Sequence, residues 1–166
     1  MTFASLPRGT SVFLDANTFV FHFQPHASFG PPCAALLMRI ERQELVGYTS
    51  THVLSETAHR LMTIEARAMS GWSAGKLLQR LKQNPAAVQS LTAHRRAIEQ
   101  ILQSRIRVLS IPPAMLAAAA ALSQQHGLLT NDALIVAVMH ANGLTELASN
   151  DDDFDRVPGF TRYAPA

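Results

Sequence analysis

A chain of 166 residues, 48% of them apolar, is long enough for one domain with its own hydrophobic core and lies far from disordered compositions. Its apolar runs are too short or interrupted to span a bilayer, and the start of the chain lacks a secretory core, so we expect a cytoplasmic protein without a membrane partner. The single cysteine, Cys33, excludes an internal disulfide and a cysteine-based zinc site within one chain. Four of the six aspartates lie between Asp151 and Asp155, which predicts an acidic spot on a surface of net charge +2.

Strand patterns alternate with helical patterns along the chain. Short runs of β-formers end in polar turn residues, and apolar residues at helical spacing fill the intervals. The predicted elements, in chain order, are strand 11–14, a helical turn and loop at 19–29, helix 33–45, strand 46–50, a helix with its apolar stripe at 53–62, helical segments 70–83 and 85–102, strand 106–111, helix 114–125, helix 132–141, strand 146–149, and an edge strand at 161–164.

This alternation predicts the fold class. Strands that alternate with helices favour an α/β sandwich around a mainly parallel central sheet. The loosely patterned, arginine-bearing residues of 70–102 are interpreted as an added helical arm, with Asn84 and Pro85 as a break within it. Residues 1–166 are therefore expected to form a single domain.

Four acidic residues stand where such a fold has its ligand crevice. Asp15 and Asp151 follow predicted strands directly, and parallel strands place their carboxyl ends at one edge of the sheet. Asp132 and Glu56 lie in the first turns of helices that follow a loop or a strand, so they can point to the same edge. Carboxylates held together repel one another unless a cation neutralises them, and oxygen ligands favour magnesium or manganese over zinc.

Each acid also has a simpler interpretation when it is taken alone. Asp132 could favour the dipole of its helix, and Asp15 could cap the helix after the first strand. Glu56 could lie on a solvated helix flank, and the run from Asp151 to Asp153 could be a surface acidic turn. The inference of a metal site therefore depends on the ordered set of four.

The chain resembles the PIN domains, and in particular the VapC-type toxin ribonucleases, in four successive motifs: VFLDAN at 12–17, SET at 55–57, LTNDALIVA at 129–137 and ASNDDDFDRVPG at 148–159. The resemblance extends over about residues 11–164, and the last two motifs are the most specific. It implies a PIN-like α/β/α sandwich. It also implies cleavage of RNA with Mg²⁺ or Mn²⁺, a homodimer and, for a toxin of a toxin–antitoxin pair, a cognate antitoxin as partner.

The resemblance also implies roles for individual residues. The catalytic and metal-binding quartet would be Asp15, Glu56, Asp132 and Asp151, with Asp153 as an additional acid near the metal. Groups that orient the carboxylates or water would be Asn17, Thr130 and Ser149. We hypothesise that the quartet binds one or two metal ions, which activate a water for in-line attack on an RNA phosphodiester.

Basic residues near the acids are candidates for RNA contact. Arg60 lies one helical turn beyond Glu56 and is the first choice for the RNA backbone; Arg80, Arg95 and Arg96 could extend that surface along the helical arm. For any single one of these arginines, a solvated helix face is the alternative.

Three other readings of the same residues remain open. The serious rival is a catalytically impaired PIN-fold module that binds nucleic acid or a protein. A second is an aspartyl-phosphate phosphatase, but this class would need another aspartate where Asn17 stands. A third is a zinc site on the helix face shared by His52, Glu56 and His59, but these residues do not form the usual zinc motif.

Four aromatic residues could serve the homodimer interface or the core: Phe19, Phe21, Phe23 and Trp72.

Overall fold

A parallel sheet lies at the centre of the computed structural model, which describes residues 1–24, 26–71 and 74–166. Within these residues the sheet has five strands in the order β3-β2-β1-β4-β5. The strands are β1 (Ser11–Leu14), β2 (Val46–Ser50), β3 (Arg107–Leu109), β4 (Glu146–Ala148) and β5 (Thr161–Tyr163). The five strands predicted from the sequence are all confirmed, within one or two residues at their ends.

Helices connect the strands, as parallel pairing requires. They are α1 (Ala16–Phe23), α2 (Gly30–Glu41), α3 (Thr51–Ser70), α4 (Ala74–Gln83), α5 (Pro85–Ser90), α6 (Ala93–Gln103), α7 (Pro113–His126) and α8 (Thr130–Ala141), with short 3₁₀ turns at Phe3–Ser5 and Asp152–Arg156. Helices flank the sheet, so that the fold is the predicted α/β/α sandwich. Val12, Phe13 and Leu14 of the central strand are fully buried, as expected of a strand covered on both faces.

Helix ends follow local sequence signals at several places. The Ser50 hydroxyl accepts a hydrogen bond from the Val53 amide at the start of α3, and Asn84 caps α5 in the same way through the Ala87 amide. Gly127 ends α7 in the left-handed conformation (φ 67°) that glycine adopts readily. These signals confirm the predicted helix start near residue 51, the break at 84 and the stop at 127.

Three helices differ from the sequence prediction. Helix α2 spans Gly30–Glu41 and not the predicted 33–45, and it begins at the glycine that was expected to close a loop. Helix α1 is regular from Ala16 to Phe23, although the sequence predicted only a helical turn and loop from residue 19. Its first half is buried, so it has no apolar stripe from which the sequence could have predicted it. Helix α6 begins only at Ala93, because the Glu65 carboxylate on α3 accepts hydrogen bonds from the Thr92 and Ala93 amides. That cap comes from another helix, so no local pattern indicates it.

The segment predicted as a helical arm divides between two packing regions. A small separate core joins α3, α4 and the residue after α5 through Ala66, Leu77, Leu81 and Leu91. Helix α6 instead packs on α3 and buries Ile101 in the main core. The arm is thus anchored to the sheet at its C-terminal end.

The aromatic residues considered for a dimer interface have different surroundings. Phe19 is fully buried in the main core, while Phe21 and Phe23 are half-buried. Trp72 lies outside the described residues. Phe19 therefore belongs to the core. Among the described helices, none combines the length and the apolar character needed to cross a membrane.

Candidate metal centre

Asp15 is the most firmly held acid at the carboxyl edge of the sheet. It follows β1, caps α1 and is only 7% exposed. Its Oδ1 accepts a hydrogen bond from the Ala16 amide (2.5 Å), and its Oδ2 accepts from Asn17 Nδ2 (2.5 Å) and Ser149 Oγ (2.8 Å). Three donors thus fix the orientation of one carboxylate.

Ser149 joins the ends of the two central strands. Besides donating to Asp15, its Oγ accepts hydrogen bonds from Asn17 Nδ2 (2.9 Å) and from the Asp151 amide (3.0 Å). Asn17 Oδ1 in turn accepts from the Asn150 amide (3.0 Å). The loop after β4 is therefore hydrogen-bonded to the residues after β1, and the Ser149 hydroxyl links the Asp151 amide to the Asp15 carboxylate.

The four aspartates between Asp151 and Asp155 have different partners. The Asp151 carboxylate accepts from the Asp153 amide (3.0 Å), and carboxylate oxygens of Asp151, Asp152 and Asp153 lie within 4.8 Å of one another. Asp155 instead forms a two-pronged pair with Arg162 on β5 (2.7 and 2.8 Å), which lowers the pKa of Asp155. The first three acids thus form a cluster, while the fourth ties the 3₁₀ turn to the sheet.

Asp132 and Glu56 complete the cluster electrostatically. Burial and, to a smaller extent, the nearby negative charges of Asp151, Glu56 and Asp153 together raise the pKa of Asp132 to about 6. Burial likewise raises the pKa of Asp15 to about 6, against the lowering effect of its hydrogen bonds and with a contribution from Glu56 and Asp132. Asp132 is therefore close enough to Glu56, Asp151 and Asp153 to be affected by their charges, and Asp15 is affected by Glu56 and Asp132, as expected of acids that could share an ion.

The donor chemistry fits a hard divalent cation. All the clustered side chains offer carboxylate oxygen, the ligand that Mg²⁺ and Mn²⁺ prefer. Burial is the main cause of the raised pKa of Asp15 and of Asp132, and neighbouring negative charges add to it. The nearest basic groups are arginines, with Arg60 3.7 Å from Glu56 and Arg156 2.7 Å from Asp153. Arg156 also donates to the Gly127 carbonyl (3.2 Å), which links the acidic turn to the loop before α8.

The family model described as PIN domain matches residues 12–159, which is most of the chain and includes all of these acids. This chain belongs to the PIN-domain family. PIN domains are nucleases, so the protein has the fold and the family of a phosphodiester hydrolase. No curated protein sequence matches it significantly.

Solved structures with the same fold include VapC toxins. A chain of VapC20 from Mycobacterium tuberculosis, described as a toxin that cleaves the sarcin-ricin loop, has a TM-score of 0.63 at 21% identity and covers 90% of this chain and 96% of its own. A chain of VapBC2 from Rickettsia felis, bound to promoter DNA, has a TM-score of 0.56 at 19% identity, with 93% and 98% covered. A chain of DNA-bound VapBC from Salmonella typhimurium gives 0.58 at 14%, with 95% and 99% covered. At these identities the likeness shows a shared fold.

An open groove runs along the acidic edge of the PIN domain. Its volume is about 320 Å³, and its lining combines acids, amides, an arginine and an aromatic ring: Asn17, Phe21, Arg60, Asn150, Asp151 and Asp152. Arg60 therefore lies beside the acids, where the sequence predicted an RNA contact. An apolar hollow lined by Phe3 and Arg39 is remote from these acids and offers no comparable chemistry.

The predicted orienting residues divide in the structure. Asn17 and Ser149 contact Asp15 directly, whereas Thr130 is exposed at the start of α8, and its side chain makes no hydrogen bond to an acid within the described part of the chain. Sequence reasoning did not identify Arg156 or Arg162. The spacing of three between Asp153 and Arg156 was a visible signal for the first, but nothing local connects Arg162 with Asp155.

Proposed function

We propose that this PIN domain, a single domain over residues 1–166, is a metal-dependent endoribonuclease. The observation that supports this best is the charge coupling between acids of separate segments: Glu56 and Asp132 act on Asp15, and Asp151 and Glu56 act on Asp132. Such a cluster is unfavourable without a cation, which is why its presence favours catalysis over a purely structural role.

The chain's own residues have distinct tasks in this proposal. The quartet, with Asp153 at its edge, would hold Mg²⁺ or Mn²⁺, and the metal supplies an activated water and charge stabilisation for phosphodiester hydrolysis. Ser149 and Asn17 fix the Asp15 carboxylate so that little reorganisation is needed on metal binding. Arg60, half-buried on the groove and 3.7 Å from Glu56, binds a backbone phosphate of the RNA.

The toxin role is part of the proposal. Two solved structures with this fold are described as VapBC complexes bound to DNA, and a third as a toxin that cleaves the sarcin-ricin loop. We infer by analogy that this chain is a cytoplasmic toxin whose substrate is RNA, that it forms a homodimer, and that a cognate antitoxin inhibits it. The alternative, a PIN module that binds without cleaving, predicts RNA affinity without turnover.

The deciding experiment is cleavage of a mixed RNA pool by purified protein with Mg²⁺, Mn²⁺ or chelator, beside Asp15→Asn and Asp132→Asn variants. We expect metal-dependent cleavage that falls at least about a thousandfold in both variants, since each removes a charged ligand of the reacting centre. Glu99→Gln is a matched control, because Glu99 forms an exposed pair with Arg95 on α6. Cleavage by the folded Asp132→Asn protein at the parent rate, with normal metal dependence, would contradict the proposal.

A further inference from the structure

Three aromatic rings cluster where α1 gives way to the loop before α2. The His26 ring stacks on the Phe29 ring in parallel, with centroids 4.6 Å apart and planes 1° apart. The Phe21 ring lies 4.9 Å from His26 and 5.0 Å from Phe29, tilted by about 50° to both. His26 Nδ1 also accepts a hydrogen bond from the Phe29 amide (3.0 Å), so the imidazole is held in place. The Phe21 ring thus has fixed neighbours on the loop side.

Phe21 also lines the groove beside the acidic cluster. The same groove presents the Arg60 guanidinium, the exposed Asn150 side chain and the carboxylates of Asp151 and Asp152. Its volume of about 320 Å³ falls within the range of small-ligand sites. One groove therefore combines an aromatic face that suits a base, a cation that suits a phosphate and an amide that suits a base edge, beside the acids of the proposed reacting centre.

We propose that Phe21, backed by His26 and Phe29, is the stacking platform for an unpaired nucleobase next to the scissile phosphate. The inference rests on the proposed ribonuclease function and adds a base-binding subsite to it. Proteins bind single-stranded RNA by stacking splayed bases on aromatic side chains, while arginine binds the backbone. Arg60 then holds the adjoining phosphate, and the Asn150 amide contacts the base edge. The subsite selects unpaired nucleotides, because a base in a duplex cannot reach the ring.

The first test measures stacking directly. Single-stranded RNA oligonucleotides of mixed sequence, with 2-aminopurine at one position, are titrated with the Asp132→Asn protein, which binds without cleaving. We expect fluorescence quenching on binding. Phe21→Leu in this background should abolish the quenching and raise the Kd about 5- to 100-fold, and Phe21→Trp should retain both. Quenching and affinity unchanged in Phe21→Leu would overturn the inference.

A matched control separates stacking from general destabilisation. Phe23 lies on the same helix, two residues further on, but lines a different hollow with His22 and Glu41. Phe23→Leu should therefore bind and quench like its parent, and an equal loss in both variants would contradict a specific platform. If Phe21→Leu does not fold, His26→Ala provides the test, because His26 is exposed. We expect a smaller loss of quenching in this variant, and quenching equal to that of its parent would overturn the inference.

Cleavage kinetics distinguish failure of the subsite from failure of the nuclease. In the otherwise unaltered protein, Phe21→Leu should raise KM for single-stranded RNA with little change in kcat, because the ring binds a base and does not touch the reacting phosphate. A parent that cleaves while Phe21→Leu keeps its KM would reject the subsite and leave the nuclease intact. A parent that stacks RNA but never cleaves would reject the nuclease and leave the subsite.

Discussion

Asp15 and Asp132 both have a pKa raised to about 6, yet the two corners of the molecule that carry them are built differently. The corner after β1 holds Asp15 with three hydrogen bonds and buries it. The corner at the start of α8 leaves Asp132 half-exposed, and no hydrogen bond to its carboxylate is found in the described ranges. Neutral hydrogen-bond donors thus fix the Asp15 carboxylate. The Asp132 carboxylate is positioned by its helix and is repelled by the charges of Asp151, Glu56 and Asp153. A cation is therefore most needed on the Asp132 side.

The largest change in the free energy of unfolding should come from a change of pH in the metal-free protein. A carboxyl with a folded-state pKa of about 6 stays protonated between about pH 4 and pH 6, while the unfolded chain ionises near 3.8. The folded state then binds more protons, so the free energy of unfolding falls as pH rises through this interval and levels off above it. Asp15 alone should contribute a loss of roughly 3 kcal/mol. Urea unfolding at several pH values measures it.

Divalent metal provides the control for that experiment. Saturating Mg²⁺ or Mn²⁺ should stabilise the protein more at pH 7.5 than at pH 5, because metal and protons compete for the same carboxylates. A metal-free stability that rises from pH 4 to pH 6 would contradict the raised pKa values of Asp15 and Asp132.

The second-largest effect should come from Ser149→Ala, which weakens the hydrogen bonds around Asp15 at the end of β1. The substitution removes the Ser149 donor to Asp15 and the acceptor for the Asp151 amide, at a cost of about 2 kcal/mol in the free energy of unfolding. Thr63→Ala is a suitable control, since that hydroxyl donates only to a carbonyl of its own helix. Metal affinity should fall with Ser149→Ala and stay unchanged with the control. Equal effects of the two variants on metal binding would remove Ser149 from the site.

Asp132→Asn should have the smallest effect on stability, and the opposite sign. In metal-free protein at pH 7.5 it removes one repelled charge without losing a described hydrogen bond, so we expect a gain of about 0.5–1 kcal/mol, reduced by the solvent exposure of the side chain. The stabilisation by added metal should largely disappear in the same variant. Thermal unfolding with and without Mn²⁺ measures both, and a less stable metal-free variant would show that Asp132 supports the fold.

The sequence predicted what depends on local pattern and on the topology of parallel sheets. The strands, the stop at Gly127 and the position of Asp15 and Asp151 at one edge follow from such rules, and the resemblance added Asn17 and Ser149. The cap that Glu65 provides to α6 and the pair between Asp155 and Arg162 could not be predicted, because each joins residues that only tertiary packing brings together.

Because β1 pairs with β4, the proposed metal site can form only after both strands have been synthesised. Residues 12–14 pair with residues 146–148, and Asp15 receives one of its hydrogen bonds from Ser149. Contacts at such sequence separation form late, after the intervening chain has been made and has collapsed. A nascent chain on the ribosome would hold Asp15 and Glu56 long before Asp132 and Asp151 emerge, so the proposed metal site could form only after residue 151 has been synthesised and packed against β1.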